Sequence, residues 1–294
     1  MRWQHRMLGS IAVLACGMCL RAEEKVLYQR PSAFSTIVVT ENEQGLRTLR
    51  FEVGGVRQSV VKPDDPDHLE LAYARVMPAA LALAERPGRV LIVGLGGGTI
   101  PRFLHQHFPE LAIDVVEIDP DVVAVAKQFF GFREDARMRA HVADGRAFIA
   151  ACRQRYDLIL LDAFSSDSIP IHLATREFLM EVRRALTPNG LVAGNVWGRG
   201  SNPLYDSMVR TYQAVFPEVC IVDVTGSGNR IVLGLMRQRP VRGEEFARQV
   251  SEMSRTRRFP LDMGEAVKAG FRSAQDDGSA GRVLTDAEAR AKAG

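Results

Sequence analysis

Four cysteines in 294 residues are too few for a disulfide framework, and two of them fall within the first twenty positions. The other two, Cys152 and Cys220, sit on a predicted helix and a predicted strand and read as buried free thiols. The chain also lacks any block of Lys and Arg. Its formal charge of +3 and pI near 8.8 come from basic residues interspersed with acids, a pattern that points away from nucleic acid and toward a small-molecule partner. No internal repeat is present, and the six histidines and four cysteines show no metal-ligand spacing, so no metal is expected. What remains is an ordinary globular balance, 46% hydrophobic and 25% charged, enough to bury one large core with a smaller appendage.

Residues 1–22 differ from the rest. A basic head, Met1-Arg-Trp-Gln-His-Arg6, precedes an almost uncharged run from Met7 to Leu20 that is too short to span a bilayer stably, which is the form of an export signal. Val13-Leu-Ala-Cys16-Gly17 resembles a lipoprotein cleavage box with Cys16 as the lipidated residue, and Leu20-Arg-Ala22 is a weaker peptidase site. An exported, periplasmic or lipid-anchored product is therefore expected. The alternative is a true start at Met18 and a cytoplasmic product.

The most informative stretch is Val90-Leu-Ile-Val-Gly-Leu-Gly-Gly-Gly-Thr-Ile100, followed by Val115-Val-Glu-Ile-Asp-Pro120. It reads as a buried strand, a glycine loop, a helix, and a second strand ending in an acid. Gly94, Gly96 and Gly98 allow the backbone to turn sharply and approach a ligand at a helix N-terminus. Glu117 follows at the distance where an acid meets ribose hydroxyls. From Arg89 onward, predicted strands and helices alternate through to residues 190–196, which argues for a parallel sheet covered on both faces. A helix at 204–216 and two runs, 219–224 and 230–236, joined by a short turn, close that sheet as a hairpin.

Upstream, residues 34–61 alternate apolar and polar and predict three strands of a small antiparallel cap, over 34–40, 46–53 and 56–61. Leu69 to Leu83 carries helical spacing. After Pro240 an amphipathic helix (244–253), a weaker one (263–271) and a polar tail expected to be mobile complete the chain. The expected division is a signal over 1–22, a β cap over 23–66, an α/β Rossmann-like nucleoside-binding transferase domain over 67–240, and a C-terminal helix with flexible tail over 241–294.

Asp144-Gly145 opens a helix directly after the third parallel strand. Its carboxylate either caps that helix or accepts from the exocyclic amine of adenine. The loop Gly94–Gly98, Glu117 and Asp144 thus fall at the ends of successive parallel strands, where open α/β sheets bind ligands.

The glycine loop, Val-Glu-Ile-Asp-Pro, Ala143-Asp-Gly-Arg-Ala-Phe148 and Tyr156-Asp-Leu-Ile-Leu-Leu-Asp162, in this order, resemble the polyamine aminopropyltransferases, the spermidine synthase family. Phe51-Glu-Val-Gly-Gly-Val-Arg-Gln58 is similar to the end of that family's cap strand, which extends the resemblance over residues 34–236. It implies a seven-stranded class I S-adenosylmethionine-dependent methyltransferase sheet beneath an N-terminal β cap, and a homodimer paired through the cap side. It also implies transfer of an aminopropyl group from decarboxylated S-adenosylmethionine, as co-substrate, to a small amine acceptor such as putrescine. On this resemblance Gly94, Gly96, Gly97, Gly98 and Gly145 would hold the nucleoside, Glu117 the ribose and Asp144 the adenine. Gln58 and Tyr73 would line the acceptor side. Asp162 and Asp167 would be the catalytic acids, with Asp167 taking the proton from the attacking amine; Asp167 stands two positions from its family counterpart and reads equally as a solvated loop acid. Such a base is needed because an alkylamine is protonated at neutral pH and only the free amine attacks carbon. His172 reads as a base at the acceptor mouth or a histidine packed at a helix start, and Trp197 as a pocket floor or a core residue.

Two positions depart from the family pattern. The loop acid that would face the donor's ammonium is Gly97 here, a loss of about 2–5 kcal/mol of donor binding. A helix acid is replaced in Tyr73-Ala74-Arg75, which sets a cation beside the site. Ordinary S-adenosylmethionine as a methyl donor is therefore a second enzymatic reading. An exported, non-catalytic nucleoside or polyamine binder is a third.

Overall fold

The computed structural model describes residues 24–163, 169–275, 277–278 and 280–293. Residues 1–22, read above as an export signal and including Cys16 and Met18, and Asp167 lie outside them.

The cap is a four-stranded antiparallel sheet of β1 (Lys25–Pro31), β2 (Thr36–Glu41), β3 (Arg47–Arg50) and β4 (Ser59–Val61), in that order. The first strand was not foreseen. Most of β1 is exposed, so it lacks the apolar alternation that marks a half-buried strand. Ile37, Val39, Leu49 and Val61 face inward and pack on Val122, Val125 and Phe130. The stretch expected to be one helix forms two 3-10 turns, Ala72–Arg75 and Met77–Leu83. Pro78 occupies the first turn of the second, where a missing N–H costs nothing, but it cannot continue a helix begun upstream.

The main sheet is built from β5 (Arg89–Val93), α1 (Thr99–His107), β6 (Ala112–Glu117), α2 (Pro120–Phe129), β7 (Met138–Val142), α3 (Gly145–Ala151), β8 (Tyr156–Leu161), α4 (Arg176–Ala185), β9 (Leu186–Trp197), α5 (Tyr205–Val215), β10 (Glu218–Asp223) and β11 (Asn229–Leu235). After α6 (Gly243–Thr256) and α7 (Met263–Gly270), the short β12 (Phe271–Ser273) joins it. The order is β12-β10-β11-β9-β8-β5-β6-β7, one edge strand more than the seven expected. Strands β5 to β9 run parallel, while β11, β10 and β12 are added antiparallel.

Side chains alternate across each strand, so Val90 and Ile92 face one way with α1, α6 and α7, whereas Leu91 and Val93 face α3, α4 and α5. Both faces are covered. Cys220 is buried as expected and Cys152 is half-exposed at the end of α3. Among the described residues no helix is long and apolar enough to cross a membrane.

The segment expected to be a mobile tail is instead tied down. Beyond β12, Leu284 is buried, and α8 (Asp286–Ala293) begins at a carboxylate that takes both guanidinium nitrogens of Arg146 at 2.7 Å and the Thr175 hydroxyl at 2.7 Å. Arg146 in turn donates to the carbonyl of His172 at 3.3 Å, so the end of the chain braces α3 and the start of α4 together. Asp286→Ala should lower stability by about 1–2 kcal/mol, since the pair is half-buried and charge-assisted. Urea denaturation with hydrogen exchange checks this, the loss of protection being concentrated in residues 271–293 and the α3–α4 junction.

Candidate active site

The order of strands reverses at β5, with β6 and β7 on one side and β8 and β9 on the other, and a crevice opens beyond their C-terminal ends. The cap closes it from above. The result is a cavity of about 340 Å³ lined by Gly94, Leu95 and Gly96, by Glu117, Asp144 and Asp162, and by Phe34, Phe51, Gln58 and Ser59 of the cap side.

Glu117 ends β6 and is 8% exposed. One carboxylate oxygen accepts from the Leu95 N–H at 3.0 Å and the other from the Asp119 N–H at 3.1 Å, which fixes the group and leaves further lone pairs toward the cavity. Burial raises its pKa, against the lowering effect of those N–H donors. Asp119 caps α2 through Asp121 N–H at 2.9 Å, and its second oxygen takes the Ser32 hydroxyl of the cap at 2.5 Å.

Gly94 leaves β5 with φ +100°, and a Cβ there would stand 2.4 Å from the carbonyl oxygen of Asp162. Only glycine satisfies both conditions. Gly96 lines the cavity, whereas Gly97 and Gly98, expected as direct nucleoside contacts, are buried and do not line it. A Cβ at Gly97 would lie 2.9 Å from Ser59 Oγ and 3.0 Å from Phe130, so the space an acid would need is already filled.

The capping reading of Asp144 holds: one oxygen caps α3 by accepting from Ala147 N–H at 2.8 Å, and the other meets His172 Nε2 at 3.3 Å at the cavity wall. His172, in a 3-10 turn over Ile171–Leu173, thus stands against the acid assigned to the nucleoside. Gly145 also lines the cavity, with no room for a Cβ beside Val93.

Asp162 follows β8. Asn195 Nδ2 donates to it at 2.9 Å, and the Tyr73 hydroxyl also hydrogen-bonds to it. Burial pushes its carboxyl up to about 7, although both bonds act to lower it. Tyr73 is pushed well above its usual range by burial and then by the Asp162 charge, which makes it the donor of the pair. Its hydroxyl is also 3.5 Å from the Gln58 carbonyl, so Gln58, Tyr73 and Asp162 share one end of the cavity.

Arg75 does not add a cation to the site. It is exposed, outside the cavity lining, and its guanidinium folds back onto the carbonyls of Leu69 at 2.5 Å and Glu70 at 3.3 Å. Trp197 ends β9 half-buried and outside the cavity lining. No cluster of three metal-type ligands exists among the described residues. Sequence reading missed Phe34 and Phe51, which no periodicity separates from core aromatics, and Asn195. The latter had a signal, since an amide inside Leu191-Val-Ala-Gly-Asn-Val-Trp197 is a polar group in a strand buried on both faces.

A mainly parallel sheet with a crevice at its switch point and a cap over the opening is the class I methyltransferase-like fold of a class of transferases. The chain belongs to the spermine/spermidine synthase family, whose domain matches residues 70–220. It is 36% identical over 225 residues to a polyamine aminopropyltransferase of Vibrio vulnificus, covering 74% of each protein. It is 35% identical to the human eEF1A lysine and N-terminal methyltransferase over 67% of this chain, which spans 31% of that longer protein. The structure of human methyltransferase-like protein 13 in complex with SAH superposes with a TM-score of 0.59 at 34% identity, over 65% of this chain and 94% of that one.

Because folding raises the Asp162 pKa, the protonated acid is the form the folded state prefers. Its stabilising contribution is complete below the unfolded value of ~4 and is lost as pH rises through 7. Asp162→Asn should therefore raise the thermal midpoint at about pH 8.5, by the equivalent of roughly 2–4 kcal/mol, and change it little at about pH 4. Calorimetric melts at the two pH values decide, and an equal shift at both removes the assignment.

Proposed function

We propose that the protein transfers an aminopropyl group from decarboxylated S-adenosylmethionine to a small, putrescine-like amine, a step of polyamine biosynthesis. Asp162 carries this reading: a carboxyl on the cavity wall, hydrogen-bonded to Tyr73 and Asn195 beside Gln58, and pushed up by burial to about 7. A base poised near neutral pH suits the removal of a proton from an amine as its nitrogen attacks. The co-substrate supplies an alkyl carbon activated by a sulfonium. The new C–N bond forms as the C–S bond breaks, methylthioadenosine leaves, and the proton goes to Asp162.

The residues present fit the nucleoside part of that co-substrate. Glu117 is held rigidly with lone pairs free for ribose hydroxyls, and Asp144 with His172 forms the wall suited to adenine. Gly94 and Gly96 let the backbone come close to the sulfonium side. Asp167, the second acid of the family resemblance, lies outside the described residues. The fold-back of Arg75 removes one objection to a cationic acceptor.

Methyl transfer from intact S-adenosylmethionine is the second reading, and Gly97 favours it. No acid stands there for the ammonium of a decarboxylated donor, and packing of Ser59 and Phe130 leaves no space for one. The human methyltransferase relatives agree with that chemistry.

Calorimetric titration with decarboxylated S-adenosylmethionine, S-adenosylmethionine and methylthioadenosine separates the two. Decarboxylated donor should bind at least tenfold tighter than the intact form. Glu117→Ala should weaken every nucleoside by about 10- to 100-fold, the worth of hydrogen bonds to a buried carboxylate. Preference for the intact donor moves the assignment to methyl transfer.

A further inference from the structure

Asp162 does not act from an unsupported position. The parallel register pairs Leu161 with Gly194, so the next residues, Asp162 and Asn195, stand side by side at the ends of β8 and β9. Across the antiparallel pair, Asn195 faces Ile231 and Trp197 faces Asn229, which makes Asn195 and Asn229 diagonal neighbours on one face. Asn195 is 2% exposed. Its Nδ2 donates to Asp162 Oδ1 at 2.9 Å, while its Oδ1 accepts from Asn229 Nδ2 at 2.9 Å. Asn229 is itself anchored, its Oδ1 on the Ser227 hydroxyl and its backbone N–H on Ser227 Oγ at 3.1 Å. The chain of amides runs from the turn between β10 and β11 across two strands into the cavity.

An amide group has a donor end and an acceptor end, and a buried one that turns round offers a carboxylate an acceptor instead of a donor. Asn229 decides which end Asn195 presents. We propose that Asn195 and Asn229 are positioning residues that orient Asp162 and hold its basicity near that needed to take a proton from the acceptor amine. The proposal rests on the reading of Asp162 as the base.

Among the described residues the groups facing Asp162 are few. Tyr73 approaches from the 3-10 turn above, Asn195 from β9, and β5 contributes only the backbone of Gly94. Glu117, Asp144 and His172 line the same cavity from β6, α3 and the turn before α4. Of these, only Tyr73 and Asn195 hydrogen-bond to the Asp162 carboxyl among the described residues, so loss of Asn195 removes one of its two described donors. Its pKa then rises.

The test follows the Asp162 carboxyl directly, by NMR of protein labelled with carbon-13 at the aspartate side chains, the resonance being identified by its absence in Asp162→Asn. Asn195→Ala should move the midpoint up by about one pH unit, a tenfold change in proton affinity. Asn229→Leu, which adds no charge, should move it in the same direction by about a third to half a unit. Asn229 acts only through Asn195, so the double variant should move it no further than Asn195→Ala alone. An unmoved midpoint in both single variants, or additive shifts in the double variant, overturns the proposal. If Asn195→Ala fails to fold, Asn229→Leu, at a half-buried strand start, decides by itself. The base assignment is judged separately by turnover. A midpoint that shifts as expected while Asp162→Asn keeps full activity sinks the base and leaves the positioning, whereas an inactive Asp162→Asn with unmoved midpoints does the reverse.

Discussion

Everything at the site depends on how closely the ends of β5 and β8 approach. The carbonyl of Asp162 stands where a Cβ of residue 94 would be, so the strands meet only through a glycine, and that glycine must also adopt a left-handed backbone to enter the loop. One contact thereby sets the glycine loop and the carboxyl of Asp162 in fixed relation. A strained or widened crossing would separate donor-side backbone from acceptor-side acid, and displacements near 1 Å are costly to reactions that depend on alignment.

The second constraint is the cap. It reaches the nucleoside-binding sheet through Ser32 and Asp119, and the N–H of that same Asp119 holds Glu117. Cap docking and the acid proposed for the ribose therefore share one turn of backbone. Phe34 and Phe51 then supply apolar walls that an open sheet lacks, and the crevice becomes a partly covered site.

Much of this was legible in the residues. The strand, loop, helix and acid of residues 90–117 read correctly because buried parallel strands are written as continuous apolar runs and the turn leaving them demands glycine. Helix α2 starts at Pro120 because Asp119-Pro120 is a cap followed by a residue suited to a first helical turn, a signal local to the sequence. Less was legible where contacts are long-range. An exposed edge strand such as β1 carries no periodicity, and the fold-back of Arg75 depends on carbonyls whose positions only the turns of residues 69–75 determine. The role of Asn195 requires knowing that β8 lies beside β9. The C-terminal segment looked like a tail because its sequence is polar, yet it is held by ion pairs and hydrogen bonds rather than by an apolar stripe.

That C-terminal segment also bears on how the chain reaches its fold. Strand β10 is apolar, Val-Cys-Ile-Val in its middle, and only three residues of β12 cover its outer edge. An uncovered apolar edge is a template for pairing with other chains. During synthesis from the N-terminus β10, at residues 218–223, is complete before β12, at residues 271–273, emerges, so the growing protein carries an open, adhesive flank through the intervening stretch of its translation. Truncation before β12 would make that flank permanent, and its cost would appear as self-association of the product rather than as any defect in the distant cavity.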